Sequence, residues 1–136
     1  MEVLVPLDGS PQSNAALDHA VDRFPEAAIT LIHVVDPIED DWDDPSTQAG
    51  RRYEAQKQAA DRLFDDARAR IPEGVSVETA IETGSPWREI VSHVEDHDVD
   101  HVVMGSHGRD GASRLLLGSV AELVVRRCPA PVTVVK

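Results

Sequence analysis

The chain has 136 residues, enough for one hydrophobic core, and it is expected to form a single domain over residues 1–136. Hydrophobic residues make up 41% but aromatics only 4%, so the core must be built from Val, Leu, Ile and Ala, and no apolar run reaches the roughly 18 residues of a membrane span. The formal net charge of −12 argues against nucleic acid as a partner, because affinity there rests on neutralising phosphates with Lys and Arg.

The first strand is predicted at Val3–Leu7, a near-continuous apolar run of the kind found in a strand covered on both faces. No charged segment followed by an apolar one precedes it, so no secretory leader is expected. Asp8-Gly9-Ser10-Pro11 follows, with Ser10 suited to cap a helix and Pro11 to its first position. Leu17, Ala20, Val21 and Phe24 then recur at helical spacing, and Pro25 lies past the end. A second strand is predicted at Ala28–Val35. Between Pro37 and Pro45, Glu39-Asp40-Asp41-Trp42-Asp43-Asp44 puts five carboxylates in six positions. Their repulsion predicts a mobile, exposed loop, with Trp42 folded back on the surface. A cation site is the alternative there, although the spacing fits no calcium loop.

A longer helix is predicted over residues 47–70, with Tyr53, Ala60, Leu63, Phe64 and Ala67 as its apolar stripe, and Pro72-Glu73-Gly74 ends it. The third strand, Val75–Glu82, alternates apolar and polar residues and suits a sheet edge. Gly84-Ser85-Pro86 repeats the cap-then-proline start, and Ile90, Val91 and Val94 face the sheet from the next helix. The fourth strand, Val99–Met104, ends at Gly105, and a glycine-bearing loop leads to a helix from Ser119 to Arg127. Pro129-Ala130-Pro131 opens the last strand, Val132–Val135. This alternation predicts an α/β fold, a doubly wound five-stranded parallel sheet with helices on both faces. Such sheets bind ligands at the carboxyl ends of their strands, where the strand order reverses. The ends of strands 1 and 4 carry the two clearest turn-and-glycine signals.

The acidity comes from 15 Asp and 10 Glu against 11 Arg and only 2 Lys, a make-up that suits a salt-rich, halophilic cytoplasm in which counter-ions screen self-repulsion. An ordinary acidic protein is the alternative. The charge is unevenly placed, with a net of −15 over residues 1–100 and +3 over residues 101–136. That positive island is where an anionic ligand is tolerated. The lone Cys128 forbids an internal disulfide, reads as a partly buried inert thiol, and fits a reducing cytoplasm.

The island contains Met104-Gly105-Ser106-His107-Gly108, nine residues, then Gly118-Ser119. Gly105 and Gly108 permit close backbone approaches, and Gly118-Ser119 opens a helix whose unpaired N–H groups and dipole favour an anion. Ser119 can cap that helix or donate to a phosphate oxygen. Arg109 and Arg114 lie within reach of a polyphosphate, and His107 either contacts a phosphate or orients the loop. The residues alone leave two readings, a phosphate cradle or glycines serving only a turn and a helix cap. No Gly-Lys-Ser/Thr occurs, and the glycines at 105, 108 and 111 do not form the dinucleotide fingerprint. His93 and His97, spaced i, i+4, suit a solvated helix face better than a shared metal, since no third ligand is evident. His33 and His101 read as strand residues and Trp87 as a packing residue.

The pattern Gly105, Gly108, Gly118-Ser119 resembles, at full spacing, the ATP-binding signature of the universal stress protein family. The resemblance extends to Val3-Leu4-Val5-Pro6-x-Asp8-Gly9-Ser10, Ile32-His33-Val34-Val35, Gly84-Ser85-Pro86 and Pro131-Val132-x-Val134-Val135. It implies the strand order 3-2-1-4-5, a homodimer, and a nucleotide between strands 1 and 4. On that resemblance Asp8 meets the ribose or adenine with Pro6 and Leu7 lining it, Val34 offers its backbone to adenine, and Met104 packs nearby. Gly105, Gly108, Gly118, Ser119 and Val120 surround the phosphates. Asp8 has an alternative role in an Asx-turn or helix cap. Leu7 stands where the family often has a small or polar residue, and the first helix follows the first strand closely. The implied ligand is ATP, or AMP or ADP, with Mg2+ as a companion of the phosphates.

The resulting expectation is a cytoplasmic, nucleotide-dependent stress or signalling module with a protein partner still to be identified, and no dedicated enzyme. It is expected to dimerise through the exposed last strand, Val132–Val135. The alternative is a dimerisation or chaperone-like module of the same fold that binds no nucleotide. An adenylating enzyme of related fold is the weakest option in a chain with two lysines.

Overall fold

The computed structural model describes residues 1–37, 40–107 and 117–136. The elements are β1 (Glu2–Pro6), α1 (Pro11–Arg23), β2 (Ala28–Val35), α2 (Gln48–Arg68), β3 (Val77–Thr83), α3 (Pro86–Asp96), β4 (His101–Gly105), α4 (Ser119–Arg127) and β5 (Val132–Val135). All five strands are parallel, in the order β3-β2-β1-β4-β5. This is the order that the resemblance implies.

The apolar run of β1 explains its central place. Val3 and Val5 point to one face and pack with Leu17 of α1 and Phe64 of α2. Leu4 points to the other, among Ile90 and Val94 of α3 and Val124 of α4. All three are at most 1% exposed, and burying each such side chain contributes about 1.5–3 kcal/mol. The sheet therefore carries α1 and α2 on one face and α3 and α4 on the other. β3 and β5 form the edges, and the alternating β3 sequence fits that position.

The caps anchor both long helices. Ser10 Oγ accepts from the Ser13 N–H at 3.1 Å ahead of Pro11, and Thr47 Oγ1 accepts from the Gly50 N–H at 2.9 Å. Ser85 occupies the corresponding position before Pro86 without a side-chain cap bond.

Two strands start later than expected. β3 begins at Val77 rather than Val75, and β4 at His101 rather than Val99. In both cases the chain is still completing a turn: the Val75 N–H reaches the Pro72 carbonyl, and Asp98 adopts a φ of +50°.

The acidic segment also departs from a simple mobile loop. The Asp44 and Thr47 N–H groups donate to the Asp41 and Asp44 carbonyls in successive turns. Asp44 Oδ1 accepts from both the N–H and the hydroxyl of Ser46, at 2.9 and 2.7 Å, and these bonds hold its carboxyl below the usual carboxylate range. Trp42 does fold back, lying 4.7 Å from the Tyr53 ring, which also carries Lys57 on it. Solvent screens the exposed carboxylates, so local hydrogen bonds prevail over their repulsion. Glu39 lies outside the described residues. No helix among the described residues is long and apolar enough to cross a membrane.

Candidate functional site

β1 and β4 pair only at Val3↔His101 and Leu4↔Val102, whereas β1 and β2 pair at five positions. The chain order reverses between these two central strands, and their carboxyl ends frame a cavity of about 370 Å³. Pro6, Leu7 and Asp8 enter it from the end of β1, and Val34 from β2. Met104, Gly105 and His107 enter from the end of β4, and Gly118, Ser119 and Val120 from the start of α4. Ten of the thirteen positions singled out in the sequence thus share one cavity. The other three, Gly108, Arg109 and Arg114, lie outside the described residues.

Much of the lining is apolar: Ile32, Pro86, Ile90, Met104, Val120 and Ala121. It offers a flat base a place to sit without stranding a polar group. Ser13 and Ser106 add hydroxyls. Sequence reasoning did not assign Ser13, Ile32, Pro86, Ile90, Ser106 or Ala121 to the site. Pro86 and Ile90 were legible only as a helix start and a sheet-facing residue, and Ser106 only as a variable position inside the glycine motif.

Asp8 takes the turn role considered for it. Its Oδ1 accepts from the Ser10 N–H at 2.9 Å, closing an Asx-turn around Gly9, which adopts a φ of +81°. The same carboxylate borders the cavity. His33 braces this turn from below. Its Nδ1 lies 2.7 Å from the Leu7 carbonyl oxygen, which can only accept, so Nδ1 carries the proton.

The glycines act mainly through close packing. A Cβ on Gly105 would fall 2.8 Å from Gln12 of α1, so this residue lets β4 and the first turn of α1 approach each other. A Cβ on Gly118 would fall 2.8 Å from the Ser106 carbonyl oxygen, to which the Gly118 N–H donates at 2.7 Å. Gly118, not Ser119, is the N-cap of α4, and no side chain caps the helix. Of the two roles open to Ser119, capping is therefore not used. Uncapped first-turn N–H groups and the helix dipole face the cavity and favour an anion. Glu122, the acid of that turn, is tied to Arg126 at 3.0 Å.

His107 is 7% exposed, with Nδ1 2.9 Å from Ser106 Oγ and, among the described residues, no hydrogen-bond partner for its buried Nε2. His93 and His97 stack at 4.0 Å with ring planes 15° apart, and His97 Nδ1 donates to the His93 carbonyl. Stacked rings do not converge on a shared metal, and among the described residues no group of three or more His, Cys, Asp or Glu is placed to hold one. Burial pushes the His93 imidazole below its ordinary value, with His97 adding to the effect. Cys128 is half-buried, and burial raises its thiol. Trp87 packs against the α3–α4 core, with the guanidinium groups of Arg88 and Arg127 over its ring. A larger, more polar cleft of about 670 Å³ lies between α1, β2 and α2 and shares Asp8 and Val34 with the site. It receives none of the glycine loop, so the smaller apolar cavity is the stronger candidate.

Comparisons with known proteins point the same way. The sequence model of the universal stress protein family matches residues 1–136. Universal stress protein MJ0531 of Methanocaldococcus jannaschii is 34% identical, over 99% of this chain and 81% of that protein. Among solved structures, that of hypothetical protein MJ0577 superposes with a TM-score of 0.86 at 30% identity, covering 99% of this chain and 94% of that one. A universal stress protein in complex with cAMP superposes with a TM-score of 0.62 at 27% identity, covering 100% and 97%. With the whole length matched and the five-stranded architecture in common, this chain belongs to the universal stress protein family.

Proposed function

We propose that this chain is an ATP-binding member of the family, a single domain over residues 1–136 that works as a nucleotide-dependent stress-response or signalling module. One observation carries the reading. A single cavity at the strand-order reversal combines an apolar wall for a base, a carboxylate at Asp8 for sugar hydroxyls, and an uncapped helix N-terminus for phosphates. The cAMP complex of a relative supports an adenine nucleotide as the ligand class. Asp8 belongs at the sugar end, since beside a triphosphate it would repel. AMP and ADP fit the same cavity with fewer phosphates, and Mg2+ accompanies the phosphates without a protein cage of its own.

Binding shifts the population of two states of the protein, and with it a surface that a protein partner reads; the ligand moves that equilibrium only by its differential affinity for the two states. The module has no dedicated catalytic role, and its setting is the cytoplasm. β5 is an edge strand whose outer backbone groups suit pairing with a second copy through Val132–Val135, which sedimentation equilibrium tests as a dimer mass. The deciding experiment is a thermal-shift series with ATP, AMP and cAMP. Ligand at about a hundred times its dissociation constant adds about 2.7 kcal/mol of stability. No shift with any of the three overturns the proposal.

A further inference from the structure

The geometry points to Ser106 and His107 as a coupled pair in which the Ser106 hydroxyl fixes the imidazole as its Nε2–H tautomer, so that Nε2 donates a hydrogen bond to the ligand's phosphate. This inference rests on the nucleotide reading above and deepens it by assigning two residues to the phosphate end.

The pair is closed on itself. Ser106 is 3% and His107 7% exposed, and their side chains meet at 2.9 Å, Oγ to Nδ1. The Ser106 backbone is already engaged: its N–H donates to the Val135 carbonyl and its carbonyl accepts from the Gly118 N–H. Its hydroxyl makes no other side-chain bond among the described residues, so it is free to rotate and donate to Nδ1. When Nδ1 accepts, the proton of a neutral imidazole sits on Nε2. That nitrogen is buried, has no partner among the described residues, and belongs to a residue lining the cavity.

His107 lies beside the start of α4. The Gly118–Ser106 bond of 2.7 Å clamps this turn against the start of α4, and the His107 Cα lies 3.3 Å from where a Gly118 Cβ would stand. His107 is therefore at the anion end of the cavity, while Asp8 sits at the end of the neighbouring strand. An anion accepts and cannot donate, so a bare Nε2 lone pair there would oppose it, whereas Nε2–H joins the first-turn N–H groups of α4. The second tautomer, with Nδ1–H donating to Ser106, would leave that lone pair facing the phosphates.

The amides of glutamine and asparagine separate the two roles of the ring. Gln places a donor near the position of Nε2, and Asn near that of Nδ1. If Nε2–H serves the phosphate, His107→Ala raises the ATP dissociation constant about tenfold, the loss of one buried hydrogen bond to a charged group. His107→Gln then restores most of the affinity and His107→Asn does not, and adenosine, which lacks phosphates, binds all three variants as it binds the parent. If the ring only orients the loop through Ser106, His107→Asn rescues instead and the inference fails.

Imidazole 15N shifts of the ligand-free protein at alkaline pH read the tautomer directly. We expect Nε2–H in the parent and in Ser106→Thr, and a mixed state in Ser106→Ala, a signature that a merely structural serine would not move. A parent imidazole in the Nδ1–H form overturns the inference. ATP binding that His107→Ala leaves intact sinks the inference alone, whereas a parent that binds neither ATP nor adenosine sinks the nucleotide reading and the phosphate contact with it.

Discussion

Substituting Gly118 by alanine isolates the contact that joins β4 to α4. Gly118 has φ −65° and ψ 158°, a conformation open to any residue, so glycine is not required there for its torsions. An added Cβ would lie 2.8 Å from the Ser106 carbonyl oxygen and 3.3 Å from the His107 Cα. A relaxed C···O contact is about 3.3–3.6 Å, so the start of α4 must retreat by roughly 0.5–0.8 Å. That retreat stretches the Gly118 N–H bond to Ser106, now 2.7 Å, to or past the limit of about 3.2 Å for a good hydrogen bond. Overpacking of this kind costs about 1–3 kcal/mol, while restricting the unfolded chain returns about 0.4–1 kcal/mol. The net loss is about 0.5–2 kcal/mol. Unfolding entropies of about 2.1 cal/mol/K per residue make this a fall in Tm of about 2–7 °C for 136 residues. ATP affinity falls about three- to tenfold as well, since Ser106, His107 and the helix N-terminus no longer converge. Differential scanning fluorimetry with and without ATP measures both effects. A variant that melts with the parent and responds equally to ATP would refute the close approach as the reason for glycine.

Two further outcomes follow from the charges. The imidazoles of His93 and His101 are held below their ordinary value, His93 by burial and then His97, His101 by burial and then His19. A depressed histidine means that the unfolded chain binds more protons, so this stability is complete above about pH 6.5 and declines as pH falls toward the lowered folded values. Glu82 and Asp96 act weakly in the opposite sense at His93. Chemical denaturation at pH 7.5 and 5.5 should show the loss, and His93→Leu should reduce it; an equal loss in that variant removes His93 as a source. For the net charge of −12, molar KCl should raise the melting temperature above that in dilute buffer by screening self-repulsion. Equal stability in both buffers would dismiss adaptation to salt.

Much of this architecture is local in origin and could be read along the chain. The unbroken apolar run Val3-Leu4-Val5 requires a strand covered on both sides, and the structure places β1 at the sheet centre. Ser10-Pro11 and Thr47 start helices because a side-chain oxygen and a fixed φ act within a few residues of themselves. Periodicity alone predicted a parallel five-stranded sheet; the order 3-2-1-4-5 came from the resemblance of whole motifs. The glycines and Asp8 were visible as turn chemistry, and they meet at one cavity.

Other features depend on packing between residues far apart in the chain. Ile32, Pro86 and Ile90 look like ordinary strand and helix residues, and they become cavity walls because β1 and β4 stop pairing after two positions. Gly105 is required by Gln12 of α1, and Gly118 by the carbonyl of Ser106, neighbours that only the folded sheet supplies. The burial of His107 Nε2, which has no partner among the described residues, is likewise set by that packing. Caps, turns and hydrophobic periodicity act over a few residues and are written in the sequence, whereas which surfaces touch, and at what distance, is decided by the balance of many contacts across the assembled core.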